Sequence, residues 1–335
     1  MLYVTTRNCK DAYTVNRCLS SDIAPDGGCF SPMRFPTYEG KEIAALKDKS
    51  FSQILAEVLN KFFSSRLTAW DVELSLGKNA SRIDSLSHKI TIAELWRNPT
   101  GNFDYITQQM YAKIASNPAK PSLWFKVAMR IAVLFGIYGQ ILNADLITPD
   151  KTFDISLSAD DFTSPIAALY ARQMGLPIGT IICTYENNSN VWDLIHRGIF
   201  NTASVDNVLR LGVEQMIYIT LGYDAVTCYQ QACDAGKVFS LDEEQLAVLN
   251  KGLFCTVAGT DRREAVINSV FRSNSYIIDP FAALSYGGVQ DYRARVGESR
   301  MTLLLAERTP LDFSKEISAA TGITADKLMD HIKLS

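Results

Sequence analysis

Residues 155–184, ISLSADDFTSPIAALYARQMGLPIGTIICT, place an amphipathic stretch between two apolar ones. Ile155–Leu157 and Thr180–Thr184 predict buried strands, because short apolar runs bounded by turn residues favour extended backbone. The segment from about Ser164 to Met174 predicts a helix that ends at the turn of residues 175–177. A strand, a helix and a second strand in this order predict α/β architecture with a mostly parallel sheet.

The alternation continues downstream. Helices are predicted at Val205–Leu221, Asp242–Lys251 and Arg262–Phe271, and Met301–Ala306 predicts a final strand. The turn residues Ala24–Gly28, APDGG, lie near the other end of the chain.

The first half contains further helices. Apolar residues at helical spacing predict one from Phe51, with Ser50 as its N-cap. Residues 66–90 are polar and irregular, and only their last residues, from Lys89 on, alternate like a strand. Another helix is predicted from Asp104 to about residue 116.

Leu123–Leu142 is the most apolar segment of the chain. It contains Lys126, Arg130 and Gln140, which are expensive in a bilayer, so it predicts a buried helix rather than a membrane span.

Composition excludes several classes of protein. The 335 residues are 47% hydrophobic and 21% charged with a net charge of −3, which is typical of a globular protein and gives no basic surface for nucleic acid. Seven cysteines without a CxxC pair and three histidines predict no metal site and fit a reducing cytosol. The first thirteen residues carry charges where a secretory signal is apolar, so we expect a cytoplasmic protein.

Several segments stand in collinear order along the chain: 3–7 (YVTTR), 24–28 (APDGG), 94–104 (ELWRNPTGNFD), 122–124 (SLW), 160–178 (DDFTSPIAALYARQMGLPI), 276–283 (YIIDPFAA) and 303–313 (LLLAERTPLDF). Together they resemble threonine synthase, an enzyme of fold type II that uses pyridoxal phosphate. The corresponding family motifs are STRG, APDGG, ELFHGPTLAFKD, SINW, the phosphate loop with KKMGLPI, GYLLDPHTA and TAHPAKF. The resemblance implies a three-layer α/β fold with a mostly parallel sheet.

The resemblance fails at the positions that would carry the chemistry. The family's cofactor lysine, in LAFKD, aligns with Asp104, and only an amine can form an imine with an aldehyde. The family's GNFG phosphate loop aligns with Asp160, Asp161, Phe162 and Thr163. Each of these two carboxylates would repel a phosphate by roughly 4 kcal/mol at about 4 Å in an effective dielectric of about 20.

Other family motifs are changed or absent. No SGDTG occurs, and only residues 105–121 stand where the family has that motif and most of its small domain, which implies that the small cofactor-covering domain is largely lost. Leu211–Glu214 stands where the family has SNFE. In TAHPAKF the threonine aligns with Glu307 and the histidine with Thr309. We therefore expect an N-terminal segment, 1–90, and a core, 91–335, with a small-domain remnant around 100–121.

The resemblance brings one loop beside the altered phosphate loop and Glu307. The expected remnant pocket consists of Trp96, Arg97, Asp104, Asp160, Asp161, Thr163 and Glu307. Its four carboxylates and one guanidinium would suit a cationic or amine-bearing ligand.

Three functions remain open. The first is a pseudoenzyme with a scaffold, regulatory or subunit role, for which we predict no cofactor and no catalytic or cofactor-binding residue. The second is an active pyridoxal-phosphate lyase with a relocated lysine such as Lys126, although a lysine leaving an apolar helix more often serves solubility. The third is a module that binds an amino acid or amine.

Loss of a domain exposes apolar surface, so we expect a homo-oligomer or association with an active family member, through helix 123–142 and loop 93–103. We expect neither nucleic acid nor a membrane as partner.

Overall fold

The structure is a computed structural model that describes residues 1–77, 81–87, 89–116, 120–159, 162–187, 189–203, 205–297 and 300–334. The strands are β1 (Leu2–Thr5), β2 (Tyr13–Thr14), β3 (Phe30–Pro32), β4 (Arg82–Ser87), β5 (Ile90–Glu94), β6 (Phe153–Ser158), β7 (Ile178–Tyr185), β8 (Ile199–Asn201), β9 (Val238–Ser240), β10 (Leu253–Val257) and β11 (Thr302–Ala306). The helices are α1 (Val15–Leu19), α2 (Gly40–Ala44), α3 (Phe51–Phe63), α4 (Ala69–Leu76), α5 (Phe103–Ile114), α6 (Leu123–Asn143), α7 (Thr163–Gln173), α8 (Ser189–Arg197), α9 (Asn207–Leu221), α10 (Tyr223–Asp234), α11 (Glu243–Asn250), α12 (Thr260–Asn274), α13 (Pro280–Val296), α14 (Ser314–Thr321) and α15 (Ala325–Leu334). Two 3₁₀ helices cover Ala45–Asp48 and Pro310–Phe313.

The central sheet has six strands in the order β10-β7-β6-β11-β5-β4. The first five are parallel and β4 is antiparallel to β5, so the predicted α/β class with a mostly parallel sheet is confirmed. Because β11 pairs with both β5 and β6, the last strand of the chain fills the centre of the sheet. Two small antiparallel sheets, β2-β1-β3 and β8-β9, lie outside it.

The segment that predicted the fold adopts the expected elements. β6, α7 and β7 follow one another as predicted, and α7 ends at a turn where Gly175 has φ +115°. A Cβ at Gly175 would collide with the backbone carbonyl of Tyr38, so glycine satisfies both the dihedral and the close approach. The predicted α3, with its Ser50 cap, and the predicted α5, α9, α11, α12 and β11 are also confirmed.

Residues 66–90 were expected to be irregular, and this prediction is wrong. They contain α4 and β4. Thr68 and Asp71 form a capping box at the start of α4, each side chain accepting from the other residue's backbone N–H. The apolar pattern does not show the helix, because Trp70 and Leu74 are exposed.

Helix α6 passes through the core between α3 and α7. By length and composition it is the one described helix that could cross a membrane, but 89% of its most apolar window is buried inside the protein. The predicted buried helix is therefore confirmed. The expectation that helix 123–142 supplies a partner surface is wrong, since α3 and α7 already cover it.

The first and second parts of the chain share one core. Tyr3, Ile54, Val133 and Leu303 belong to the same cluster of buried side chains. The strand pair β4–β5 also spans the predicted boundary at residue 90. That boundary and the small-domain remnant around 100–121 stay predictions. Only residues 115–122 lie between α5 and α6.

Candidate functional site

The loop between β5 and α5 runs alongside the segment that follows β11. The backbone N–H of Leu95 donates to the Ala306 carbonyl at 2.8 Å, and that of Phe103 donates to the Glu307 carbonyl at 2.8 Å. The N–H of Thr309 donates back to the Gly101 carbonyl at 2.8 Å. These bonds hold the loop at the carboxyl edge of the parallel strands, where α/β proteins place their ligand crevices.

Arg130 points from buried α6 toward this edge. Its Nη2 donates to Glu307 Oε2 at 2.8 Å, and its Nε donates to Ser164 Oγ at 3.0 Å. The guanidinium also lies 4.8 Å from the centroid of the Phe103 ring. The Arg130 side chain is 8% exposed and that of Glu307 is 25% exposed, so the ion pair is largely withdrawn from solvent.

Asp279 lies opposite this pair, at the start of α13. Its Oδ1 accepts hydrogen bonds from the backbone N–H groups of Phe281 and Ala282 at 3.0 and 3.1 Å, as an N-cap does. Its Oδ2 is buried and makes no hydrogen bond within the described part of the chain. Burial raises the pKa of Asp279 to about 7, with a smaller rise from the charge of Glu307.

These groups surround a cavity of about 150 Å³, which we call the edge cavity. Its walls are Leu157, Ser158, Ser164, Asp279, Phe281, Leu305, Glu307 and Arg308. The Arg308 guanidinium lies over the Phe281 ring, 5.3 Å from its centroid, and makes no ion pair with Asp279. The edge cavity therefore combines a buried, half-bonded carboxyl with a paired carboxylate.

Trp96 and Arg97 lie outside the edge cavity. Arg97 donates to Glu94, whose other oxygen accepts from the Tyr276 hydroxyl at 2.7 Å, and its guanidinium lies 4.6 Å from the centroid of the Trp96 ring. Burial and the Glu94 charge raise the pKa of Tyr276 well above its usual value. Trp96 and Arg97 line a different, more open cavity of about 540 Å³ together with Thr309.

The other predicted site residues are also dispersed. Asp104 is exposed in the first turn of α5, and its backbone N–H donates to the Asn102 side chain at 2.9 Å. Thr163 lines a third cavity of about 240 Å³, whose wall includes Lys126. Asp160 and Asp161 lie outside the described residues. Among the described members of the predicted group, only Glu307 lines the edge cavity.

Sequence reasoning missed three residues of the edge cavity region. Arg130 was interpreted only as a charge in an apolar helix, although an arginine that is largely buried needs a carboxylate. Asp279, before Pro280, carries the signature of an N-cap, which gives no indication that its second oxygen is buried without a partner. Ser164 has no sequence signal of its own.

Comparison with known proteins agrees with the collinear motifs. Residues 2–77 match the family model of the threonine synthase N terminus. Threonine synthase-like 1 of Homo sapiens is 20% identical over 174 residues, which are 48% of this chain and 23% of that protein. Threonine synthase of Pseudomonas aeruginosa is 23% identical over 256 residues, 69% of this chain and 52% of that protein. The chain is therefore similar to threonine synthases and threonine synthase-like proteins, in its N-terminal segment and over most of its length.

Solved structures of threonine synthases share the fold of this chain. Threonine synthase from Brucella melitensis, solved with pyridoxal phosphate bound, superposes with a TM-score of 0.77 at 17% identity and covers 96% of this chain and 92% of that one. Threonine synthase from yeast superposes with a TM-score of 0.74 at 13% identity, and the match covers 95% of this chain and 89% of the yeast one. The matched sequence, in contrast, spans about a quarter of the human relative and about half of the Pseudomonas one.

Proposed function

We propose that this threonine synthase-like chain is a pseudoenzyme that acts as a scaffold, a regulator or a subunit rather than as a lyase. The observation that carries the proposal is Asp104, an exposed acid in the first turn of α5. By the resemblance, this position would hold the lysine that forms the imine. A carboxylate has no nucleophilic amine and cannot form that bond.

The edge cavity does not fit pyridoxal phosphate. Among its described lining residues, Asp279 and Glu307 are acids, none is a lysine, and the guanidinium of Arg308 lies over the Phe281 ring. A phosphate placed there would face two carboxylates, one of them buried, and like charges repel most strongly where water is excluded. A volume of about 150 Å³ is also below the roughly 300–1,000 Å³ that is typical of cofactor sites.

Purification of the protein tests the proposal. We expect a colourless preparation after incubation with pyridoxal phosphate and no phosphate release from O-phosphohomoserine. A visible absorbance band that borohydride abolishes, or turnover of that substrate, would contradict the proposal.

A second candidate function has one observation in its favour. Lys126 lines the third cavity together with Thr163, the first residue of α7, so an amine stands close to the segment that resembles the phosphate loop. If this lysine held the cofactor, replacement by methionine would abolish the visible band, whereas replacement of the exposed Lys120 would not. The wall of this cavity is mainly apolar, which favours the pseudoenzyme.

Association with a second copy or with an active family member remains part of the proposal. Trp70 and Leu74 are 68% and 66% exposed and lie one turn apart on α4, which supports an interaction surface there. Light scattering coupled to size exclusion, alone and with an active threonine synthase, is the measurement. A strict monomer in both samples would contradict the association.

A further inference from the structure

We propose that the edge cavity binds a small primary ammonium compound, which donates a hydrogen bond to the unpartnered Oδ2 of Asp279. This proposal rests on the proposed function, since a cavity that holds pyridoxal phosphate has no room for a second ligand.

The geometry selects a donor. Asp279 is 2% exposed, and its Oδ1 is already engaged by two backbone N–H groups, whereas its Oδ2 has no partner within the described residues. A buried carboxylate oxygen without a hydrogen bond is unfavourable, so a ligand that donates to it gains the interaction that the fold leaves unmade.

The surrounding charges select a cation. The charge of Glu307 is paired with Arg130, and its two oxygens already bond to Arg130 and Ser164, so Asp279 is the carboxyl of the wall that faces no cation among the described residues. The guanidinium of Arg308 is directed over Phe281 and does not neutralise Asp279. An ammonium group is compact and carries three donors, so it fits the confined oxygen better than a planar guanidinium does.

The size of the cavity limits the ligand. A volume of about 150 Å³ corresponds to about five water molecules, at about 30 Å³ each. The hydroxyls of Ser158 and Ser164 and the Phe281 ring form the remaining wall, so a short chain with one further polar group fits. Ethanolamine and glycine both satisfy this description, the first as a simple amine and the second as an amino acid.

Binding should also displace a proton. Burial raises the pKa of Asp279 to about 7, so the carboxyl is largely protonated in mildly acidic solution. The groups that face it are Glu307 and Arg308 from the segment after β11, Arg130 of α6 through Glu307, and Tyr276 of its own loop. An ammonium ligand favours the ionised carboxylate, and its binding below this pKa therefore releases up to one proton.

Calorimetric titration with ethanolamine and with glycine tests the proposal, using ethylene glycol and glycolate as matched compounds without the ammonium group. We expect at least one of the two amines to bind and neither matched compound to do so. Asp279→Asn should weaken binding at least about thirtyfold, because it removes a buried charge from a charge pair. Asp242→Asn, at the exposed N-cap of α11, is the control and should leave binding unchanged.

Each result decides between the two proposals. A colourless protein that binds neither amine, or an Asp279→Asn variant that binds as the wild type does, overturns the ammonium site and leaves the pseudoenzyme standing. A visible cofactor band overturns the pseudoenzyme. If the Asp279→Asn variant does not fold, proton release decides. Wild-type titrations below pH 7, in two buffers of different ionisation enthalpy, must show protons released on amine binding, and their absence overturns the site.

Discussion

Arg130 Nη2 lies 2.8 Å from Glu307 Oε2, which joins the buried helix α6 to the segment that follows the central strand β11. The contact connects residues 177 positions apart in the sequence and holds Glu307, a lining residue of the edge cavity. Loss of Glu307 therefore leaves the buried guanidinium of Arg130 without this carboxylate.

Glu307→Ala is expected to lower the free energy of unfolding by about 3 kcal/mol, at the lower end for a buried pair because Glu307 is partly exposed. Arg130→Met should destabilise less, because an apolar side chain of similar length fills the space and the partly exposed Glu307 that loses the ion pair is still hydrated. Urea unfolding of both variants measures the difference. Equal stability of the Glu307→Ala variant and the wild type would contradict a structural role for the pair.

Arg7 and Glu214 form a second pair, between the N-terminal segment and α9. Arg7 Nε lies 3.2 and 3.1 Å from the two oxygens of Glu214, and its Nη2 lies 2.8 Å from Oε2. Glu214 is completely buried and also accepts from the Thr6 hydroxyl. Glu214 is the last residue of the segment aligned with the family motif SNFE. In this structure its carboxylate binds Thr6 and Arg7 and so holds the N-terminal segment against α9.

Arg7→Lys is expected to lower the free energy of unfolding by about 2 kcal/mol or more, although it preserves the charge. A lysine ammonium cannot reach both carboxylate oxygens in the forked geometry of the guanidinium, and Glu214 stays buried. Arg17→Lys, at an exposed position of α1, is the control and should change stability by less than about 0.5 kcal/mol. If Arg7→Lys and Arg17→Lys have the same thermal unfolding temperature, the forked contact of Arg7 with Glu214 does not stabilise the protein.

Gly212 of α9 lies against Phe162, the residue before α7. Phe162 is buried and has φ +60°, and a Cβ on Gly212 would overlap its ring. Gly212→Ala is expected to destabilise by about 1–3 kcal/mol through overpacking. Gly40→Ala is the control, since a Cβ there meets nothing within 4 Å, and it should be neutral or slightly stabilising. Chemical denaturation of both variants is the measurement.

Local patterns in the sequence predicted most of the elements. The apolar spacing of α3 is sufficient to predict a helix, because burial of one face imposes the helical period. The short apolar runs of β6 and β7 are sufficient to predict strands, because both faces of these strands are buried. Helix α4 was missed, since its capping box carries more of the signal than its apolar residues, two of which are exposed. The apolar pattern of a sequence fails to predict a helix when the apolar side chains of that helix are not all packed against the core.

The edge cavity was predicted only in part. Glu307 follows a strong strand, so its place at the carboxyl edge could be expected from the sequence. Arg130 and Asp279 depend on which side chains face each other across the sheet, and a single sequence does not contain that information. Arg97 was expected beside Glu307, but it pairs instead with Glu94, the last residue of β5.

Asp279→Asn is expected to be more stable than the wild type at about pH 8 and close to it at about pH 4. The folded carboxyl has its pKa raised to about 7, above that of an unfolded aspartic acid, so the folded state binds the proton more tightly. The resulting stabilisation is complete below the unfolded pKa of about 4 and is lost as the pH rises through 7, by about 4 kcal/mol in total. Asparagine stays neutral and still caps α13.

Urea unfolding across this pH range measures the difference, with Asp242→Asn as the control at an exposed cap. A wild-type stability that increases between pH 5 and 8 relative to Asp279→Asn would mean that Asp279 is ionised and stabilised in the folded protein.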